Sequence, residues 1–189
     1  MDFSFLVPFI FALIAGILVK IVDWLDDDKK STHPIKFLFA IFYGALIGYL
    51  ISTASFSTLF LAGLFAQVFA RNIDTTAHKI GFLTSIIAMF VFGLPLTIDI
   101  VIFGYFLILA FMDELKLFGS LEIFSEYRLF LKLGTLPFIF FGRFDYLIAI
   151  LCSDFGYVLS EFLAHRSFPV AKAKTGAKSK KTRNLNSRR

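Results

Sequence analysis

Phe37-Leu38-Phe39-Ala40-Ile41-Phe42-Tyr43-Gly44-Ala45-Leu46-Ile47-Gly48-Tyr49-Leu50-Ile51 carries no charge and no alternation of polar with apolar side chains. A strand of a membrane barrel would alternate with period two. A continuous apolar run, here 36–53 with its flanks, reads as a helix. A helix that crosses a bilayer takes roughly 17–25 such residues.

Six more runs of the same kind flank it, at about 3–22, 56–71, 79–96, 98–113, 128–142 and 145–163. The chain is 58% hydrophobic and holds 27 Phe in 189 residues. Soluble domains carry about 45–50% apolar residues, and a soluble core of this size has no room for all those rings. The expected fold is all-α: a polytopic transmembrane bundle of about seven spans over 1–166, followed by a basic tail over 167–189. The start, Met1-Asp2-Phe3-Ser4-Phe5, lacks the positive region of a secretory leader, so the first run is expected to be a retained span. Cys152 sits among apolar residues and reads as a small core side chain.

The connections alternate in character. Ser52-Thr53-Ala54-Ser55, Gly93-Leu94-Pro95-Leu96-Thr97 and Gly142-Arg143-Phe144-Asp145 are short breaker turns. Those from Asp23 to Lys36, Arg71 to Lys79 and Asp113 to Lys132 are longer and charged. With seven spans, four Lys or Arg fall around the first charged loop, two around the second, three around the third and nine after the last span. Only Arg143 lies on the other side. Basic residues collect on the cytoplasmic face. The N-terminus is therefore expected outside, the C-terminus in the cytoplasm, and the protein in the cell membrane as a multi-pass chain.

Three charged helix ends then share one level. They are Asp23-Trp24-Leu25-Asp26-Asp27-Asp28, Arg71-Asn72-Ile73-Asp74-Thr75-Thr76-Ala77-His78, and Asp113-Glu114. On a helix Asp23, Asp26 and Asp27 share a face, as do Asp74 and His78. Carboxylates with an imidazole suit a divalent cation, and hard oxygens favour Mg²⁺ or Mn²⁺. Asp23, Asp74 and Asp113 are the candidate metal ligands. Arg71 and Asn72 are the candidate substrate contacts. His78 is a candidate ligand or general acid/base.

Asp154 adds a second catalytic candidate. It lies near the middle of the last apolar run, and Tyr157, Glu161 and His165 continue its helical face toward the cytoplasm. An ionisable group at that depth has to be paired or wetted, so Asp154 is expected to face the bundle and a polar cavity. Duller readings stay open. Asp26–Asp28 with Lys29-Lys30 could be a solvated loop, Asp113-Glu114 a solvated helix terminus, the 71–74 stretch a salt bridge and cap, and Asp154 a structural hydrogen-bond partner. Gly44 and Gly48 read as a close helix contact.

Several classes drop out. The last span has no Lys for a retinal Schiff base, and no Gly-x-Ser-x-Gly, Walker loop or dinucleotide glycine loop occurs. Asp23-x-x-Asp26-Asp27 resembles the Mg²⁺-diphosphate motifs of membrane prenyltransferases, but those enzymes are longer and carry a second acidic motif that is missing here. Asn72-x-Asp74-x-x-x-His78, followed one hairpin later by Asp113-Glu114, resembles small polytopic archaeal membrane proteins of unassigned function. That resemblance covers about the middle half of the chain. It implies a cell-membrane protein and carries no activity.

Three functions fit these residues. The first is an enzyme at the cytoplasmic interface acting on a lipid-linked phosphate or diphosphate, with a cation such as Mg²⁺. The second is a small ion-coupled carrier using Asp154 and Glu161. The third is a non-catalytic membrane assembly subunit. The partners are the bilayer and, through the basic tail, anionic lipid headgroups. The tail has no interleaved aromatics to stack on bases, which argues against nucleic acid.

Overall fold

A computed structural model describes residues 3–28, 34–71, 73–95, 98–115 and 128–167. Asn72 and the tail from 168 onward lie outside the described residues, as do the side chains of Asp27, Asp28 and His165. All seven apolar runs are helices: α1 (Val7–Asp23), α2 (Ile35–Thr53), α3 (Ser57–Phe69), α4 (Thr76–Phe92), α5 (Ile100–Glu114), α6 (Leu129–Ile139) and α7 (Asp145–Ser167). A 3₁₀ turn, Phe3–Leu6, leads into α1, and a widened turn, Trp24–Asp28, extends it.

The helix ends have local causes. Pro8 occupies the first turn of α1, where its missing N–H leaves no bond unmade. Thr75 caps α4 by accepting from the His78 N–H at 3.3 Å. Asp99 caps α5, accepting from Val101 and Ile102 at 2.9 and 3.1 Å. Gly93 ends α4 at φ +103° and Gly142 turns the chain toward α7 at φ +73°.

Three helical stretches are long and apolar enough to cross a membrane: Ser4–Asp26 with 23 residues, Ile35–Thr53 with 19 and Asp145–Leu163 with 19. The other four helices have 13, 17, 15 and 11 residues. At about 1.5 Å per residue these measure roughly 17–26 Å, short of a hydrocarbon core of about 30 Å. The same breakers that make tight turns also shorten these helices.

Six helices close a ring in which neighbours pack in the order α1, α2, α3, α5, α6, α7 and back to α1. The fourth helix, α4, packs on α2 from outside. Small residues dominate the buried set, among them Ala12, Ala15, Ala40, Ala62, Ala66, Ala77, Ala110 and Ala149. Many bulky residues point outward, with Phe140 91% exposed, Phe141 80% and Ile100 76%. A water-soluble core would show the reverse. Small residues at helix contacts and large apolar ones facing out are what lipid solvation selects.

The closest approach joins α1 to α7. A Cβ on Gly16 would lie 2.0 Å from the Ser153 carbonyl oxygen, and one on Gly156 would lie 2.2 Å from that of Leu13. Gly44 and Gly48 likewise admit the backbone of α4. One end of the ring is filled by aromatics, where Phe106 stacks on Phe138 and Tyr146 at centroid distances of 5.1 and 5.0 Å. The other end stays open, and the charges collect there.

Candidate functional site

The open end is built from the last turns of α1, α3, α5 and α7 and the first turns of α2, α4 and α6. Asp23 is its hinge. One carboxylate oxygen lies 3.0 Å from His78 Nε2 and the other accepts from the Tyr157 hydroxyl at 2.9 Å. On the far side of the ring, His78 Nδ1 meets the Tyr43 hydroxyl at 3.3 Å. Both imidazole nitrogens are therefore engaged. His78 lies in the first turn of α4, ahead of the apolar stretch 79–96. The hydrogen bond to Asp23 raises its pKa above the ordinary 6.5, against the opposing effect of burial. Asp26 and Asp74 add to the rise through charge.

Tyr157 extends the chain. Lys20 Nζ donates to its hydroxyl at 3.3 Å, lies 4.6 Å above its ring, and reaches Glu161 at 3.5 Å. Asp26 pairs with Lys36 rather than standing in a solvated loop, and its side chain is only 8% exposed. The acidic run at the end of α1 is thus divided between two partners, Asp23 toward α4 and α7, and Asp26 toward α2.

A second network joins α5, α6 and α7. Asp154 faces the bundle, with Lys132 Nζ at 2.7 Å and Arg128 at 4.0 Å. Arg128 also reaches Glu114 at 3.5 Å and lies over the Tyr157 ring at 5.8 Å. Arg128 holds φ +50°, ψ +44° immediately before α6, a backbone state uncommon for a residue with a Cβ. Asp113 accepts from the backbone N–H groups of Phe130 and Leu131 at 3.1 and 2.8 Å. A carboxylate at a helix start satisfies donors that have no partner inside the helix.

Between the two networks lies a cavity of about 480 Å³ whose walls include Asp23, Tyr43, Asp74, His78, Glu114 and Arg128. It adjoins a narrower, largely apolar slot of about 100 Å³ that runs down the axis of the ring. Val19, Ile47, Leu64, Gln67, Glu114, Arg128 and Tyr157 border both spaces. A polar vestibule thus opens onto an apolar pocket.

Of the residues singled out from sequence, Asp23, Asp74 and His78 come together on the vestibule wall. Asp113 borders the slot instead and caps α6. Arg71 is exposed beyond α3 at φ +58°. Among the described residues, no group of three or more His, Cys, Asp and Glu is placed to hold one ion. Asp23 and Asp113 border different spaces, and both oxygens of each already have partners. Asp154 lies off the cavity wall, turned toward Lys132.

The sequence reading missed Arg128 and Lys132, counting them only as topology signals. Their i, i+4 spacing places them on one helix face, at the level of Asp154 in the next helix. That coincidence was the available clue. Tyr43 carried no signal, since it sits within the apolar run of α2. No family model, curated protein or solved structure matches this chain.

Proposed function

We propose that the chain is a multi-pass cell-membrane protein, N-terminus outside and C-terminus cytoplasmic, whose open end binds the head of a phosphorylated amphiphile together with Mg²⁺. The observation that carries this is the shared border of the polar vestibule and the apolar slot, with Arg128 at the junction. A ligand with a charged head and an apolar tail satisfies both spaces at once.

Arg128 supplies donors for phosphate oxygens. His78, whose imidazole is bonded to Asp23 and whose pKa that bond raises, stands on the opposite wall. The absence of an all-protein ion cage among the described residues is compatible with Mg²⁺. That ion keeps several waters and binds through one or two carboxylates plus substrate phosphates. Asp74, exposed on the vestibule rim, is the carboxylate proposed for that role. His78 has no free lone pair for general-base work while both nitrogens are bonded. Reaction at the phosphate would then rest on positioning and charge screening, which is most of what phosphoryl transfer asks of a protein.

Two measurements test this reading. Detergent-solubilised protein should be stabilised against heat by an alkyl phosphate with Mg²⁺, and much less by either alone. Asp74→Asn should remove the Mg²⁺ dependence and leave the fold intact. An Asp74→Asn variant that keeps the full Mg²⁺ effect contradicts the cation's placement. For orientation, a cysteine introduced in the tail should resist a membrane-impermeant thiol reagent in intact cells. Labelling there would reverse the topology.

A second reading, the ion-coupled carrier, draws on the Asp154–Lys132 pair inside the bundle. Ionisable pairs within membrane helices mark ion and proton pathways. It requires Asp154→Asn to abolish proton- or cation-driven uptake in proteoliposomes. The phosphate reading requires the same variant to keep its ligand.

A further inference from the structure

Six helix-contact glycines, Gly16, Gly44, Gly48, Gly81, Gly134 and Gly156, are filled from the other side by a neighbouring backbone or side chain. Gly63, in the middle of α3, is different. A Cβ built there meets no heavy atom within 4 Å among the described residues. Glycine inside a helix costs stability relative to alanine, and here no neighbouring helix needs the space. What occupies that side of Gly63 is the slot, which it lines with Ala15 and Gly16 of α1, Ala110 of α5 and Ile150 of α7.

The geometry points to Gly63 as the residue that sizes a pocket for the head-proximal carbons of the ligand's tail. This rests on the proposed function and narrows it to a substrate class. The slot begins at Arg128 and Tyr157, where the phosphate would sit, and descends between small side chains. The aromatic group around Phe106 closes the far end of the ring. An apolar cavity of ~150 Å³ takes a benzene ring of six carbons, so this slot of about 100 Å³ accommodates about four carbons. The preferred ligand is a phosphate monoester or diphosphate whose first ~4 carbons are apolar and unbranched by polar groups. A longer tail gains nothing further from the protein.

The experiment measures binding of methyl, ethyl, butyl, pentyl and octyl phosphate, each with Mg²⁺, to the full-length protein in detergent. Affinity should rise about fourfold per carbon from ethyl to butyl, about sixteenfold in all, and then level off from pentyl to octyl. Gly63→Leu should fill the slot, so that every tailed phosphate binds at the methyl phosphate level while methyl phosphate itself is unaffected. Gly63→Ala should flatten the series partway and raise the thermal midpoint, which covers the case in which the leucine variant does not fold. Gly104→Leu, at another helix glycine with open space beside it but off the slot, should leave the series unchanged. A flat series in the unaltered protein, or a series that Gly63→Leu and Gly63→Ala do not touch, overturns the tail pocket and leaves the phosphate site standing. A continued rise from pentyl to octyl overturns the length limit. Failure of every phosphate to bind, methyl phosphate included, overturns the proposed function and this inference with it.

Discussion

The two ends of the ring hold ion pairs of similar length and put them to opposite use. At the closed end, Arg143 and Asp145 meet at 3.0 Å through two parallel contacts, although they are only two residues apart. Arg143 also donates to the Ser55 carbonyl at 2.7 Å, and the Ser55 hydroxyl donates to Asp145 at 2.7 Å. The result is a latch between the α2–α3 corner and the α6–α7 turn, lying over packed aromatic rings. At the open end, pairs such as Asp23–His78 and Asp154–Lys132 join helices distant in sequence. Asp23 and His78 border a space of about 480 Å³, and Asp154 and Lys132 back it through Arg128, which lines it. Charge alone therefore does not distinguish a site from a fastener. The distinction lies in whether the groups converge on each other or on a volume between them.

The largest expected effect comes from the open end. Asp154→Leu removes the carboxylate that Lys132 meets at 2.7 Å and Arg128 at 4.0 Å. Breaking a buried pair from one side costs about 3–5 kcal/mol, read as a large drop in thermal midpoint in detergent. A drop no larger than that of a latch variant would mean that Asp154 works as one more fastener.

His78→Gln comes next, at about 1.5–3 kcal/mol for a hydrogen bond to a charged group. This effect depends on pH. Because the folded-state pKa of His78 is raised, its stabilising contribution is complete below the ordinary value of about 6.5. It is lost as pH rises through the raised value. The gap between wild type and His78→Gln should therefore be widest at acid pH and close on the alkaline side. A gap that widens with pH would mean that the contact with Asp23 does not raise the pKa of His78. The same variant should also weaken Mg²⁺–phosphate binding by about tenfold or more, the effect of roughly 1.4 kcal/mol.

The smallest effect belongs to the latch. Arg143 is 41% exposed in its side chain, and water screens such pairs to about 0.2–1 kcal/mol. Arg143→Ala should lower the midpoint slightly and leave ligand affinity unchanged. A tenfold loss of affinity in this variant would erase the contrast between the two ends.

The helices were legible because each is a continuous apolar run bounded by Gly, Pro or charge. Those signals are local, and the helix ends fall within a few residues of the apolar boundaries. The level shared by Asp23, Asp74 and His78 was legible for the same reason, since it follows from counting turns. The partners were not. Asp113 reads as one more carboxylate at a helix end, and only the fold brings Phe130 and Leu131 above it. Arg128 reads as a charge in a loop, and only the ring sets it against Glu114 and Asp154. The expectation for Arg71 failed to single out the cavity's arginine because sequence gives the level of a residue but not its azimuth around a bundle.

The glycine contact between α1 and α7 also sets a timetable. The earliest and latest of the described helices lie against each other, and the Asp23–Tyr157 bond spans 134 positions. At a synthesis rate of about 5–20 residues per second, α1 waits roughly 7–27 s for its partner to emerge. Throughout that interval the flat face around Gly16 and the carboxylate of Asp23 lack their partners in α7. The open end of the ring is thus its last part to form, and a ribosome that stalls before Asp145 leaves the vestibule without Tyr157.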